Sequence, residues 1–430
     1  MLGTWFLSLL AGHRRYAHIN TIRFDGVMPE LLGMHGVVAE DTVRRVLKAI
    51  DAQAGIAWVH AHLDACVAPL LLAPWILEVD VTVKPLSGHQ AGAGIGYNPK
   101  KPGRPSHTYH PYQMAGLRLV LGVDVEAGNH SHSNTTLPGL LKLIDRLPAQ
   151  QRPYCVRGDA GFGHDAVMTG LEARQIPYRL KLRATKNVKR DLEKVFWSHG
   201  WVDAGEGCEG REGEFALSGW QRARHVIVLR RRLKGEVVLS EETHQLALGF
   251  VESDVATPRY EYFLLVTTLP HEIRALAQLY RDRADSETTF DELKNQWAWG
   301  GFTTQDLNRC RSNAMAVALR YNWWSLFVRL ANPTARLEAI TSRPFLLSTV
   351  ARKTRHGGQQ HLVIAHSHRD AHLAQAMLTH VSRMRQAWAI ATAEQLRPEA
   401  VWRRVCEFLM TTVTGVNWLR PPPNRLAGAG

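Results

Sequence analysis

A run of alternating side chains, ILEVDVTV from Ile76 to Val83, constrains the fold more than any other stretch of the 430-residue chain. Its β-branched residues predict a strand, with Leu77 and Val79 on one face and Asp80 and Thr82 on the other. Such an apolar strand is typical of the centre of a sheet, where an unpaired carboxylate is costly. We therefore expect a central strand that places Asp80 beside a cation.

Further candidate strands follow, near His110 to Leu117 and from Leu119 to Gly128, and a helix is predicted over Leu137 to Leu147. The second of these strands carries Asp124. It is the main competitor of Asp80 as a strand-borne acid.

A second acid lies in the segment YCVRGDAGFG, from Tyr154 to Gly163. The pattern predicts a short strand that ends at Asp159, with a helix from about His164 to Gln175 after it. An acid at the carboxyl end of a strand, flanked by glycines, is well placed to project into a crevice. The alternative is an Asp that caps the following turn.

The stretch from Tyr280 to Lys294 predicts one amphipathic helix. Tyr280, Arg283, Glu287 and Lys294 fall within a wedge of roughly 60° when each residue advances the helix by about 100°. The alternative is a solvated helix with ordinary ion pairs, because Arg283 and Glu287 also have i,i+4 spacing.

Two acids on the same predicted helix could be mistaken for Glu287. Asp291 lies only about 40° from it and is the serious rival. Glu292 is about 140° away, on the side that the pattern predicts to face solvent.

Basic residues dominate one face of the predicted strand YRLKLRAT, from Tyr178 to Thr185, namely Arg179, Lys181 and Arg183. A wholly basic face suggests a phosphate track. The formal charge of +13 and the pI near 9.7 also point to a polyanionic partner. A membrane surface and simple basicity are the alternatives.

Five scattered cysteines without a CxxC pair argue against a zinc ribbon or a disulfide framework and suit a reducing cytoplasm. The apolar N-terminal run MLGTWFLSLLAG is too short to span a bilayer, and its basic cluster follows the apolar residues. We expect a buried helix there.

The pattern Tyr-x2-Arg-x3-Glu-x6-Lys resembles the signature of DDE transposases encoded by bacterial insertion sequences. Asp80-x-Thr82 with the later GYNPKKPGRP looks like the group built around insertion sequence thirteen-eighty, and the Asp159 segment resembles its second-aspartate motif. The resemblance implies an α/β fold with an RNase H-like catalytic core and a β-rich insertion, flanked by N- and C-terminal helical regions.

The implied domains are a helical N-terminal region (1–74), the first part of the core (75–190), the β-rich insertion (191–268), the last part of the core with the signature helix (269–330) and a mainly helical C-terminal region (331–430). For the first region, DNA binding and truncation are both open, since related chains generally have more sequence before it.

The resemblance implies a cut-and-paste transposase that cleaves the ends of its element and joins them to target DNA. Asp80, Asp159 and Glu287 would converge and hold two Mg²⁺ or Mn²⁺ ions, which prefer hard carboxylate oxygens. Phosphates at the transposon end would contact Tyr280, Arg283 and Lys294.

The partners so implied are double-stranded DNA, as terminal inverted repeats and as target, and a second copy of the chain in a homodimer on DNA. The location is the bacterial cytoplasm near the nucleoid, without a membrane. Two alternatives remain: a transposase-derived DNA-binding protein without catalytic activity, and an RNase H-like nuclease without strand transfer.

Overall fold

The structure is a computed structural model. It describes residues 1–25, 28–71, 74–98, 101–130, 132–196, 199–232, 260–302, 304–347, 351–364, 371–391, 401–403, 405–406 and 409–410. Residues 233–259 of the predicted insertion and 411–430 of the predicted C-terminal region therefore lie outside the described part.

Helices make up the regular structure before the first strand. They are α1 (Leu2–Leu10), α2 (Met28–Leu31), α3 (Glu40–Ala49) and α4 (Ala52–Val67), with 3₁₀ turns at Tyr16–Ile22 and Ala68–Leu70. In α1, Trp5, Leu7 and Leu9 are buried, which confirms the buried helix predicted there.

The middle of the chain alternates strands and helices. In order these are β1 (Ile76–Val79), β2 (Thr82–Pro85), β3 (Ser106–Met114), β4 (Leu119–Ala127), α5 (His132–Arg146), a 3₁₀ turn (Ala149–Gln151), β5 (Cys155–Gly158), α6 (Asp165–Glu172) and β6 (Tyr178–Lys181). The strands and helices predicted here are confirmed within a few residues at each end, apart from one interruption described below.

A helix and four more strands come next. The sequence pattern predicts the strands but not the helix. The elements are α7 (Lys186–Phe196), β7 (Val202–Gly205), β8 (Cys208–Phe215), β9 (Arg224–Arg232) and β10 (Tyr260–Thr267). The β-rich insertion is predicted over 191–268, so α7, which extends into that range as far as Phe196, is a correction. Its alternation of Val188 and Leu192 with charged residues is typical of a helix with one buried face.

The last part of the described chain contains α8 (Ile273–Arg281), α9 (Ala284–Asn295), α10 (Leu307–Ala331), α11 (Ala339–Leu346), β11 (Ala351–His356), β12 (Gln359–Ile364) and α12 (Ala371–Ala391). The antiparallel pair β11 and β12 interrupts a region predicted to be mainly helical.

One mixed sheet organises these elements. Strands β1 and β2 both pair antiparallel with β3, which also pairs antiparallel with β4. On the other side, β1 pairs parallel with β5, and β5 with β6. The sheet then continues antiparallel through β10, β9, β8 and β7. It is a mostly antiparallel sheet within a mixed α/β structure.

The predicted strand from Ile76 to Val83 is interrupted at Asp80 and Val81. Both halves keep their pairing with β3, Val79 opposite Tyr112 and Thr82 opposite Tyr109. The interruption arises because the Val81 N–H donates to the side chain of Asp80, at 2.7 Å, instead of to a neighbouring strand.

Helix α10 packs against the sheet and is buried along most of its length. It begins at the N-cap Asp306, which accepts a hydrogen bond from the Arg309 N–H at 2.9 Å. The Asn322 amide bonds the backbone of Val120 on β4, donating to the carbonyl at 2.7 Å and accepting from the N–H at 2.8 Å. These bonds fix the helix on the sheet, because a buried amide needs both partners.

The five cysteines form no disulfide, as their spacing predicted. No helix among the described residues is long and apolar enough to cross a membrane.

Candidate functional site

Asp80 and Asp159 follow the carboxyl ends of two adjacent parallel strands. Strands β1 and β5 are in register with Val79 opposite Gly158, so each acid is the next residue beyond a paired position. A side chain at Gly158 would meet Val79 Cγ2 at 3.0 Å and Leu180 Cδ2 at 3.1 Å, so glycine allows the strands to pack this closely. The structure thus brings together two of the three predicted acids.

Each of these two acids is tied to its own backbone through one oxygen. Oδ1 of Asp80 accepts the Val81 N–H at 2.7 Å, and Oδ1 of Asp159 accepts the Gly161 N–H at 2.8 Å. The Asp159 bond is the turn-capping contact that the sequence left open as an alternative. It holds the side chain at the strand end and leaves Oδ2 outside this backbone bond.

The cation expected beside Asp80 is Arg283. Its guanidinium donates from Nη2 to Oδ2 of Asp80 and its Nε lies 3.3 Å from Oε1 of Glu78. Burial raises the pKa of the Asp80 carboxyl to about 7, although the charge of Arg283 acts in the opposite direction. The negative charge of Asp159 adds to the rise. Asp80 therefore lies in a site where negative charge is costly without a cation.

A second buried pair, which the sequence analysis missed, lies beneath this contact. Glu78 and Arg157 face each other across the parallel strands β1 and β5, and both are almost fully buried. Arg157 donates to Oε2 of Glu78 from Nε, at 2.9 Å, and from Nη2. Their positions in the sequence could have revealed them. Glu78 lies two residues before Asp80 and Arg157 two residues before Asp159, so each shares a strand face with one of the acids.

Arg157 also reaches the helices that carry the third acid. Its guanidinium donates to the carbonyl of Leu279 at 2.9 Å and to that of Asp282 at 3.4 Å. These carbonyls lie at the end of α8, where helical C=O groups lack partners within the helix. The strand pair and the helix junction are therefore joined by one side chain.

The helix predicted over Tyr280 to Lys294 is broken, which corrects the sequence interpretation. Helix α8 ends at Arg281 and α9 begins at Ala284, with Asp282 and Arg283 between them. The Arg283 N–H bonds the Tyr280 carbonyl at 3.2 Å, a contact three residues back that tightens the chain locally. The single wedge computed for one continuous helix therefore does not hold at Tyr280.

Glu287 lies on α9, one turn after Arg283, and its side chain is exposed. Burial lowers the pKa of Arg283, but the negative charges around it raise the pKa by more. Asp80 has the largest effect of these charges, and Glu287 has a smaller one. Within the described ranges, however, no three His, Cys, Asp or Glu side chains form a group that could hold a metal ion. Glu287 is thus near the two strand acids without joining them as a ligand set.

The rivals of Glu287 have other partners. Asp291 is exposed and accepts a hydrogen bond from the Asn295 amide at 2.6 Å. Glu292, which the pattern predicted to face solvent, is 2% exposed, binds Arg336 and accepts the Ala339 N–H at 3.0 Å. The prediction for Glu292 was wrong because α11 and the segment before it cover that side of α9.

Asp124, the competitor on β4, has a structural partner. The Tyr112 hydroxyl donates to its Oδ2 at 2.6 Å, across the β3–β4 pair. It lies on the strand beyond β3, away from the β1–β5 junction.

The predicted basic face on β6 is only partly exposed. Arg183 is exposed and Lys181 is half-buried, but Arg179 is 1% exposed and its three guanidinium nitrogens have no hydrogen-bond partner. Burial, followed by the charge of Arg157, lowers the pKa of Arg179 to about 9. The expectation of a solvent-facing phosphate contact therefore fails at Arg179, because β6 is an interior strand and the Tyr280 ring of α8 lies over this arginine.

Tyr280 covers this buried arginine. Its ring lies 5.2 Å from the Arg179 guanidinium carbon and 5.6 Å from Nζ of Lys181. Cations over an aromatic face are attracted by the ring quadrupole. The fourth signature residue, Lys294, is half-buried near the end of α9.

Arg183 lies towards the Asp159 side of the site. Burial lowers the pKa of His164, the N-cap of α6, and the positive charge of Arg183 lowers it further. Arg183 is therefore an exposed cation close to His164, which the charge of Asp159 also affects, while Arg179 does not reach the surface.

The donor chemistry of the strand-end acids fits a divalent ion such as Mg²⁺. Both are carboxylates, the hard oxygen ligands that such ions prefer. Oδ2 of Asp80 is engaged by Arg283, so the fit requires that this arginine move.

Comparison with known proteins gives one family. Residues 1–386 match the family described as transposase DDE domain group 1. No curated protein matches the chain. Among solved structures, the piggyBac transposase synaptic complex with hairpin DNA, determined by cryo-EM, is similar with 12% sequence identity and a TM-score of 0.39, covering 100% of this chain and 77% of that chain.

Proposed function

The chain belongs to the transposase DDE domain group 1 family, and from that premise we propose that it is a DNA transposase of the cut-and-paste type. It cleaves the ends of an insertion sequence and transfers the freed strands to target DNA. The observation that carries this proposal is the position of Asp80 and Asp159 after paired residues of adjacent parallel strands.

We infer an RNase H-like core from the same strands. The order β4, β3, β1, β5, β6, with antiparallel pairs on one side of β1 and parallel pairs on the other, supports this assignment. We further propose that the chain belongs to the group built around insertion sequence thirteen-eighty, which the resemblance of its motifs supports. We assign β7 to β10 to the predicted β-rich insertion. Its last strand, β10, pairs antiparallel with β6 of the proposed core.

In the proposed site, Asp80 and Asp159 hold Mg²⁺ or Mn²⁺, two ions in all, and Glu287 completes the set after α9 adjusts. When bound, such ions activate a water or a 3′-hydroxyl and stabilise the leaving oxygen of a phosphodiester. The carboxylates act as ligands and do not carry protons in this scheme.

The surrounding cations orient the DNA. Arg283 engages a phosphate bidentately, and Lys294 acts as a point charge. Lys181 and Arg183 continue this contact along the end of β6, with Tyr280 packed beside them. Arg179 supports Tyr280 from below and does not contact phosphate.

The proposed partners are the terminal inverted repeats, the target duplex and a second copy of the chain on DNA, in the bacterial cytoplasm. The net charge of +13 favours a polyanion as partner.

A second candidate function is DNA binding without cleavage. The exposed position of Glu287, outside any ligand group among the described residues, favours it. The two candidates differ in one observable, which is whether DNA ends are cut.

The test is cleavage of labelled inverted repeats, taken from the DNA that flanks the coding sequence, in the presence of Mg²⁺ or Mn²⁺. The wild-type chain should cut at the repeat ends. Asp80→Asn should abolish cutting and leave DNA binding intact, because a neutral amide is a poor ligand for a hard cation.

Asp124→Asn is the matched control, since it changes another acid on a strand. The Tyr112 hydroxyl that donates to Asp124 can also donate to the amide oxygen of asparagine. It should cut like the wild-type chain. Undiminished cutting by Asp80→Asn would remove Asp80 from the site. Binding without cutting by the wild-type chain would favour the second candidate.

A further inference from the structure

The guanidinium of Arg283 lies where a cation would have to approach Asp80. It bonds Oδ2 of Asp80 and lies 3.3 Å from Oε1 of Glu78. We propose that Arg283 blocks the divalent-ion site in the DNA-free protein and that a DNA phosphate opens the site by drawing Arg283 away. This inference rests on the proposed function, because it concerns the ion held by Asp80.

The charges around Asp80 make the blocking strong. Two cations already lie in the same buried cluster, Arg157 on Glu78 and Arg179 without a hydrogen-bond partner. With Arg283 there are three buried or nearly buried cations beside the three carboxylates Glu78, Asp80 and Asp159, so the charges already balance. Adding a dication while Arg283 stays would place like charges together in a poorly solvated site, where they repel strongly.

On leaving, Arg283 would lose one hydrogen bond to Asp80 and the ion pair with Glu78. Its Nε is buried without a hydrogen-bond partner, and its guanidinium bonds Asp80 through Nη2. Glu78 keeps both of its hydrogen bonds from Arg157 when Arg283 moves. The carboxylate oxygens that lose a cation are Oδ2 of Asp80 and Oε1 of Glu78, and Glu78 stays neutralised by Arg157.

The position of Arg283 also allows it to move. It is the N-cap of α9, in the two-residue break after α8, and its side chain is 15% exposed. A guanidinium binds phosphate in the same forked geometry as carboxylate, so a DNA phosphate offers an equivalent partner on the solvent side.

The consequence is a thermodynamic coupling between DNA and the ion. If DNA removes the blocking cation, DNA raises the affinity of the protein for the ion, and the ion raises its affinity for DNA by the same factor. The free protein then binds the ion weakly and does not assemble the site without its substrate.

The experiment measures Mn²⁺ binding to the full chain without DNA, by the loss of the free-ion electron spin resonance signal. Arg283→Gln removes the blocking charge and should bind Mn²⁺ about tenfold or more tightly than the wild-type chain. A short DNA duplex should raise the Mn²⁺ affinity of the wild-type chain by a larger factor than that of Arg283→Gln, because only the wild-type chain also gains from the displacement of Arg283.

The matched control is Arg281→Gln. Arg281 lies two residues earlier, at the end of α8, and pairs with Glu206 at 3.4 Å and with Gln278. The variant Arg281→Gln also removes one positive charge from the junction of α8 and α9, but Arg281 does not contact Asp80. The Mn²⁺ affinity of this variant should therefore equal that of the wild-type chain. Thermal unfolding without metal checks that both variants are folded.

The outcomes separate the two proposals. Equal or weaker Mn²⁺ binding by folded Arg283→Gln overturns the blocking role, even where cutting still depends on Asp80. If the double variant Asp80→Asn/Arg283→Gln binds Mn²⁺ as tightly as Arg283→Gln, the ion does not bind at Asp80 and the inference also fails. Cutting by Asp80→Asn contradicts the proposed function instead, whatever the Mn²⁺ result.

Discussion

At the scale of single residues, Glu78 and Arg157 form a buried ion pair beneath the strand-end acids. Their side chains are 1% and 3% exposed. Arg157 also donates hydrogen bonds to the carbonyls of Leu279 and Asp282. A buried charge that loses its partner is strongly destabilising, whereas removing both charges together is often tolerated.

Arg157→Met should therefore lower the free energy of unfolding by about 3 kcal/mol, since Glu78 stays buried, loses both of its hydrogen bonds and keeps only the ion pair with Arg283. The double variant Glu78→Leu/Arg157→Met should recover most of this loss. Urea unfolding of the single and double variants measures both values. A double variant no more stable than Arg157→Met would show that the ion pair is not the source of the loss.

The sequence could reveal these residues only in part. Asp80 was predicted because it lies among apolar residues within a strand, and Asp159 because it ends a strand between glycines. Which cation neutralises which acid depends on the register of β1 against β5, and that register is set by tertiary packing. Arg179 illustrates the same limit, since alternation placed it on a basic face but could not tell that the face is covered.

At the scale of the elements, strands and most helices followed from local pattern, while the two breaks did not. The helix break at Asp282 and Arg283 occurs where Arg157 binds carbonyls at the end of α8. The strand break occurs where Asp80 binds the next N–H. Both depend on polar contacts of individual side chains, which hydrophobic periodicity does not report.

Another polar contact joins α6 to the later strands. Arg224 on β9 donates to Glu172 at 2.9 Å and to Asp165 at 2.6 Å, both on α6. The Tyr178 hydroxyl on β6 donates to Glu172 at 2.6 Å. Burial alone would raise the pKa of the Glu172 carboxyl, but these hydrogen bonds outweigh it and lower the pKa to about 2.

Glu172→Gln should lower the free energy of unfolding at pH 7 by on the order of 2 kcal/mol. Because the folded-state pKa lies below the unfolded value, the stabilisation is complete above the unfolded value and is lost as the pH falls towards about 2. The stability gap between variant and wild type should therefore narrow between pH 5 and pH 3, as measured by denaturant unfolding.

Glu212→Gln provides the control, because the Glu212 side chain is 53% exposed. Among the described residues its only ion-pair partner is His225, at 3.6 Å. It should change stability little at either pH. A gap for Glu172→Gln that stays constant from pH 5 to pH 3 would contradict the lowered pKa.

At the scale of the whole molecule, a single sheet extends from β4 to β7. The strands assigned to the insertion continue the core sheet through the β6–β10 pair, with Leu265 opposite Lys181. Sequence pattern suggested the strands but not this continuity, because strand partners far apart in the chain leave no local signal.

The charge of the whole chain should make DNA binding steeply dependent on salt. Arg183→Gln removes one proposed phosphate contact and should reduce the slope of log affinity against log salt by about 0.9. Fluorescence anisotropy with a labelled duplex over a range of KCl concentrations measures this slope.

Arg355→Gln is the control of equal net charge, because Arg355 is exposed on the β11–β12 hairpin. Its slope should match that of the wild-type chain. An equal reduction in both variants would assign the effect to overall charge and remove Arg183 from the phosphate path.

The backbone bonds of the two strand-end acids limit how they would grip an ion. Oδ1 of Asp80 and Oδ1 of Asp159 each accept a nearby amide N–H, so Oδ2 is the oxygen that each acid would offer to an ion, at Asp80 only after Arg283 leaves. Two such oxygens would supply a minority of the about six ligands that Mg²⁺ prefers, and the others would come from water and substrate. Nucleic acid would itself complete the coordination sphere, and an ion without it would be loosely held.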